Sequence, residues 1–324
     1  MMTYVEKYSG ILNRIVKNIG TVIIGKKETV ELVVLTMASG GHVLIEDIPG
    51  VGKTSLVSAL ARSVDCKFKR IQFTPDIVPS DITGFSVYNQ KTGEFEFRPG
   101  AAMSNFVLAD EINRASAKAQ SSLLEVMEEK QVTVDLKTYK LEEPFMVLAT
   151  QNPIENLGTY QLPEAQIDRF QVKVSLGYPS RDEEVRIISM KNEEKKELKP
   201  VADSDSIMEI KKAVENIFVS DVVKRYIVDI VYASRNHKDI YIGSSPRGSI
   251  ALHNMGRALA LYNGREYVIP DDIKYLAPHV LPHRFILTHE AKINKKSRAD
   301  IMGEILREVV VPAGKQLREQ RKNA

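Results

Sequence analysis

The chain has 324 residues, 43% hydrophobic and 27% charged, which gives material for about two domains and excludes a disordered chain, a collagen-like repeat and a disulfide-stapled mini-protein. Its 45 Lys and Arg against 42 Asp and Glu leave a formal charge of +3, too little to indicate a nucleic-acid binder by bulk electrostatics. Cys66 is the one cysteine, so an intrachain disulfide and a cysteine-built zinc site are excluded. With no signal-peptide grading at 1–10 and no apolar run near the ~20 residues of a membrane span, a cytoplasmic enzyme or switch is expected.

Ile11, Leu12, Ile15, Val16 and Ile19 recur at helical spacing up to Gly20 and predict a leading helix within 1–20. A second helix is predicted over 28–38, stopped by Gly40 and Gly41, and a β-rich run, 42–46 (HVLIE), follows it. Further short strands are predicted at 68–73, 105–109, 145–150 and 171–176, with helical patterns between several of them. Such alternation argues for a parallel α/β sheet. Between the second and third strands lies a polar insertion, 74–104, in which 85–97 alternates around Lys91, Thr92 and Gly93 as a hairpin would. A smaller hairpin, 132–134 against 139–141, precedes the fourth strand.

Past Tyr178 and Pro179 the β signal ends, and the charged run 191–199 (KNEEKKELK) marks the boundary to a helical region. Helices are predicted behind Ser220 as N-cap, from Pro246 behind Ser245 to Asn263, around Asp271 and Asp272, and over 297–310.

Residues 47–54 (DIPGVGKT) match the phosphate-binding pattern G-x-x-x-x-G-K-[ST], except that Asp47 stands at its first glycine. The segment follows a predicted strand and opens a predicted helix. Gly50 and Gly52 lack side-chain bulk, so successive N–H groups can aim at a triphosphate. Lys53 then reaches the β- and γ-phosphates, and the Thr54 hydroxyl ligates Mg2+. Pro49, Val51 and Ser55 complete the candidate nucleotide-binding set. A carboxylate would repel phosphates, so the Asp47 side chain is expected to point away.

The run 105–111 (NFVLADE) delivers Asp110 and Glu111 at a strand's carboxyl end, where open α/β sheets bind ligands. Asp110 would hold Mg2+ and Glu111 would polarise the attacking water. An acidic strand end alone is common; beside a phosphate loop it points to hydrolysis. Asn152, directly after the fourth strand, would present its amide beside Glu111 if those strands are neighbours, the alternative being a turn-forming Asn before Pro153. Arg169 and Arg247 complete the candidates, although each taken singly is an ordinary surface arginine.

Weaker signals carry less. His279 and His283 are four apart, but Pro282 interrupts any helix between them and no cysteine or acidic pair supports a metal site. Cys66 lacks a general base and reads as a packed or surface thiol. Residues 191–199 read as a solvated helix face, and the tip at Lys91 to Gly93 as a surface excursion or a substrate contact.

In their order, 47–54 (DIPGVGKT), 108–115 (LADEINRA), 149–153 (ATQNP), 162–170 (LPEAQIDRF) and 245–248 (SPRG) resemble the AAA+ ATPases, and within them the MoxR-type branch. The likeness covers nearly the whole chain from about Ile24. It implies a parallel five-stranded α/β sheet flanked by helices over 21–178, with the insert 74–104 and the hairpin 132–141, then a linker and small all-helical lid over 179–324. It implies Lys53 and Thr54 in Walker A, Asp110 and Glu111 in Walker B, Asn152 as sensor 1, and Arg247 as sensor 2. Arg169 would be an arginine finger acting on a neighbouring subunit's ATP, and Ile24 and Gly25 would pack the adenine.

With the phosphates on the first domain and Arg247 on the second, hydrolysis would release a contact between them. ATP and Mg2+ are the implied cofactors. The implied assembly is a homo-oligomeric ring, expected to be a hexamer, that remodels or matures a protein client, with a von Willebrand factor A domain protein as partner. A nucleic-acid-translocating motor, a chelatase-type ATPase subunit and a non-hydrolysing nucleotide switch are alternatives. Against the motor, Lys137 and Lys140 on the smaller hairpin stand beside Asp135, and +3 is modest. Against the switch, Glu111 and Asn152 are both present.

Overall fold

The computed structural model describes residues 3–152, 160–191 and 198–312. Helices α1 (Tyr4–Ile19) and α2 (Lys27–Ala38) precede β1 (Val43–Glu46), α3 (Lys53–Ser63), β2 (Phe68–Gln72), α4 (Pro79–Thr83) and the hairpin of β3 (Gly84–Asn89) and β4 (Glu94–Pro99). Then come β5 (Phe106–Asp110), α5 (Ala117–Glu129), the hairpin of β6 (Gln131–Val134) and β7 (Lys137–Lys140), β8 (Met146–Gln151), α6 (Glu164–Ile167) and β9 (Val172–Val174). The second region holds α7 (Arg181–Lys191), α8 (Ser204–Glu215), α9 (Asp221–Asn236), β10 (Ile240–Ile242), α10 (Pro246–Tyr262), α11 (Pro270–Val280), β11 (Ile286–Leu287), α12 (His289–Ile293) and α13 (Arg298–Glu308).

Five strands form one parallel sheet in the order β2-β5-β8-β1-β9. Helices cover both faces, so the central strands carry unbroken apolar runs: β5 is buried throughout and β8 as far as Thr150. Because side chains alternate along a strand, Leu108 and Leu148 join one cluster with Leu35, Leu60 and Leu252, while Val107 and Val147 join Phe73, Ile82 and Leu123 on the other face. The first cluster crosses from the sheet into the lid. Core and lid therefore share apolar packing.

The leading helix is not a separate unit. Thr3 caps it with a capping box, so it starts earlier than its apolar stripe indicates. Ser9 donates to the Tyr262 carbonyl of α10 at 2.7 Å, and Asn18 to the Ser63 hydroxyl at the end of α3 at 3.0 Å. The helix thus ties lid to core. The lid is helical but not wholly so, because β10 and β11 pair antiparallel through Ile240 and Leu287. Runs of three and two residues are too short to show a period.

Ser220 and Ser245 cap α9 and α10 as expected. Of the charged run 191–199, residues 192–197 lie outside the described part. The two inserts pack on each other: the rings of Phe97 in β4 and Tyr139 in β7 stack with centroids 4.0 Å apart.

Candidate active site

The 47–52 loop leaves β1 and turns into α3. Gly50 and Gly52 have φ of +86° and +97°, and a Cβ at either would meet nothing within 4 Å. Backbone handedness, not space, is what demands glycine there. Lys53 opens the helix, only 8% exposed, and its Nζ donates to the Asp47 carbonyl at 3.2 Å. Thr54 and Ser55 are exposed beside it.

The Asp47 carboxylate points away from this concavity, as its chemistry required. It accepts from the Ser175 hydroxyl at 3.0 Å and from the backbone N–H groups of Leu176 and Gly177. Its charge is thus used to pin the loop to the end of β9.

Across the cleft, β5 ends in Asp110, 8% exposed. Arg70 of β2 places Nε and Nη2 on its Oδ2 at 3.1 and 2.6 Å. The Thr150 hydroxyl, fully buried in β8, donates to Oδ1 at 2.6 Å and accepts from the Glu111 N–H at 2.8 Å. That second bond fixes an unusual backbone, since Glu111 has φ +56°, a left-handed conformation costing a non-glycine residue about 1–3 kcal/mol. The Glu111 carboxylate accepts from Gln72 at 2.8 Å and faces Arg114 at 3.3 Å.

A cleft of about 350 Å3 joins these groups, lined by Gly50, Lys53, Thr54, Ser55, Asp110 and Glu111, with Pro49 at its rim. Asn152, 6% exposed, follows β8. Because β8 lies between β5 and β1, Asn152 sits at the same sheet end as Glu111, which meets the condition set for it.

Besides Asn152, five candidates do not line the cleft. Val51 packs on the apolar core. Ile24 is buried, and Gly25, at φ +76°, lies against the Glu183 carboxylate of α7, so that a Cβ there would fall 1.6 Å from Glu183 Oε1. Arg169 and Arg247 come together elsewhere. Both pair with Glu128 of α5, through Arg169 Nε at 3.1 Å and Arg247 Nη2 at 2.5 Å.

Those two arginines line a second cavity of about 210 Å3 with His42 and Gln171, which lie just ahead of β1 and β9. The first cleft opens beyond the other end of β1, so a strand of four residues, roughly 13 Å at the usual rise, separates the two. The expectation that Arg247 contacts its own chain's phosphates is therefore not met in this conformation. Strand polarity sets loop and arginines at opposite ends of the sheet. The segment around Arg169 is held rigidly: Ser245 donates to Asp168 at 2.8 Å, and the buried Arg284 grips the Asp168 carboxylate and the Phe170 carbonyl.

Thr150, Arg70, Gln72, Glu128 and Arg284 were not singled out in the sequence. Thr150 left a trace, being the polar residue that closes an apolar run, and Arg70 and Gln72 flank buried Ile71 with the alternation of a strand exposed on one side. The long-range ion-pair partners of Glu128 and Arg284 left none. The weak candidates resolve as structural. His283 is buried and hydrogen-bonds the Phe170 carbonyl, whereas His279 faces Glu28. Burial, with Asp65 nearby, pushes the Cys66 thiol up to about 11, leaving it inert.

Residues 42–172 match the ATPase family associated with various cellular activities (AAA), and residues 232–305 match the AAA lid domain. The chain is 51% identical to the YeaC protein of Bacillus subtilis (strain 168), over 96% of this chain and 98% of that one. It is 41% identical to Chaperone MoxR1 of Mycobacterium tuberculosis, over 93% and 82% respectively. The crystal structure of a proposed ATPase from Cytophaga hutchinsonii superposes with a TM-score of 0.90 at 39% identity, covering 95% of this chain and 97% of its own. A parallel five-stranded core with a glycine-loop cleft, a helical lid, and near full-length likeness to MoxR proteins agree with one another: the chain belongs to the MoxR-type AAA+ ATPases.

Proposed function

We propose that the chain hydrolyses ATP with Mg2+ and uses the cycle to remodel or mature a client protein. The observation that carries the first half is the single cleft in which Gly50, Gly52 and Lys53 face Asp110 and Glu111. Its oxygen donors, the Thr54 hydroxyl and the Asp110 carboxylate, are the hard ligands that suit Mg2+, and this ion would neutralise charge on the transferred phosphoryl group. Lys53 and the loop N–H groups would bind the β- and γ-phosphates. Glu111 would orient the attacking water and Asn152 would present its amide to the same region. Ile24 and Gly25 remain the proposed adenine contacts, with Val51 supporting the loop from the core side.

Arg169 and Arg247 lie at the sheet end opposite their own cleft, which supports action on a neighbour's ATP in a head-to-tail ring. Their joint placement extends this role from Arg169 to Arg247. Six subunits, and a von Willebrand factor A domain partner, follow from the family likeness. A protein client in the cytoplasm is favoured over nucleic acid because the β3–β4 hairpin exposes Phe85, Tyr88 and Phe95 among mixed charges, a surface suited to apolar contact. The relative named Chaperone MoxR1 supports that preference. No helix of the described residues is long and apolar enough to cross a membrane.

Glu111→Gln should keep nucleotide binding, read by a fluorescent ATP analogue, while phosphate release falls at least ~100-fold. Near-normal turnover would remove Glu111 from its role. Proteins captured by the ATP-loaded variant would identify the client.

A further inference from the structure

Arg70 and Gln72 stand two apart on β2 and face the same side of that strand. Arg70 commits two N–H groups to Asp110 Oδ2, while the Thr150 hydroxyl takes Oδ1. Both oxygens of the nearly buried carboxylate are engaged, one of them by a cation. A divalent ion would need that same carboxylate. A guanidinium does not lose its charge at any ordinary pH, so Arg70 makes room only by leaving. Its side chain is 47% exposed and lines the cleft, so departure is a change of side-chain rotamer and not an unfolding event.

We propose that Arg70 is a built-in stand-in for the metal: it neutralises Asp110 in the nucleotide-free chain and, once displaced, turns its charge to the incoming phosphates. This rests on the reading of Asp110 as the metal carboxylate. The device spares the fold a nearly buried Asp110 carboxylate left uncompensated beside Glu111, which has Arg114 as its own partner. It makes metal binding weak without nucleotide, because the ion competes with an internal cation. It also makes metal and nucleotide help one another, since the phosphates give the displaced Arg70 a new partner, and such coupling is reciprocal.

The test uses Mn2+ as a paramagnetic probe, titrated into the nucleotide-free chain and followed by electron paramagnetic resonance. Arg70→Gln should bind Mn2+ roughly 3- to 10-fold more tightly than the parent, the range set by the modest strength of a half-exposed ion pair. Asp110→Asn should lose this binding, and Arg70→Gln should add nothing in the Asp110→Asn background. Arg70→Lys, which restores a cation without the fork, should fall between. The gain in ADP affinity that Mn2+ confers should shrink in Arg70→Gln. Equal or weaker Mn2+ binding by Arg70→Gln, with Asp110→Asn still abolishing it, overturns the stand-in and leaves Asp110 as the metal carboxylate. Binding indifferent to Asp110→Asn overturns the metal assignment itself, and the stand-in with it.

Discussion

Thr150 shows how one buried hydroxyl can serve two acidic residues. It donates to the Asp110 carboxylate and accepts from the Glu111 N–H, so that carboxylate and the strained backbone of Glu111 share a single anchor. Thr150→Val keeps the shape and removes both bonds, leaving the Glu111 N–H without its partner. We expect a loss of about 1–3 kcal/mol in stability, and a larger fall in turnover than in nucleotide affinity; Thr150→Ser should recover both. Urea unfolding with parallel turnover assays checks this, and an unaltered turnover in Thr150→Val would dismiss the anchor.

His42 carries a pH dependence of the fold. Burial lowers its pKa to about 4, and it is held neutral between the Val147 N–H and the Met127 carbonyl. The folded pKa lies below the unfolded value near 6.5, so the unfolded chain binds the proton first. The stabilisation is complete above pH 6.5 and drains away as pH falls toward 4, a change of up to about 3 kcal/mol. His283 is shifted in the same direction by burial and by Arg284 beside it. Urea midpoints measured from pH 7 to 4.5 should fall less steeply in His42→Asn than in the parent.

Among the elements, the short strands were the easiest to find from sequence. The runs 105–109 and 145–150 match β5 and β8 to within a residue, because strands covered on both faces must be continuously apolar, and 68–73 matches β2, an edge strand with exposed Arg70 and Gln72, equally closely. The β10–β11 ladder escaped notice since its two strands span too few residues to alternate. Pairing between the two inserts was equally invisible, for each hairpin is local in sequence and their contact is not. The Phe97–Tyr139 stack is that contact. Phe97→Ala should cost about 0.5–1.5 kcal/mol beyond the lost area and loosen both hairpins together, seen as faster amide exchange in β6 and β7 as well as β4. Faster exchange in β4 alone would show that the hairpins are independent.

On the scale of the molecule, α1 and a shared apolar cluster bind the lid to the core, while the sheet separates the glycine-loop cleft from Arg169 and Arg247. An arginine finger contributes ~10³ to 10⁵ in rate, so a subunit using its neighbour's arginines depends on assembly. Lys53→Ala and Arg169→Ala chains, each nearly inactive alone, should regain turnover when mixed, because a mixed interface can join an intact loop to an intact finger. Mixtures that stay inactive at every ratio would speak against action across the interface.

The motifs in 47–54, 105–111 and 149–153 pointed to the family and to which residues meet at one end of the sheet, because loop, carboxylates and amide each lie within a few residues of a strand end, and local order suffices to place them. The sequence also required Asp47 to turn away from phosphate, though not toward Leu176 and Gly177. Tertiary structure alone decided which arginine meets which carboxylate: Arg70 with Asp110, Arg169 and Arg247 with Glu128, and Arg284 with Asp168. An ion pair across 40 to 120 residues depends on how elements stack, and charge carries no period by which a sequence could announce its partner.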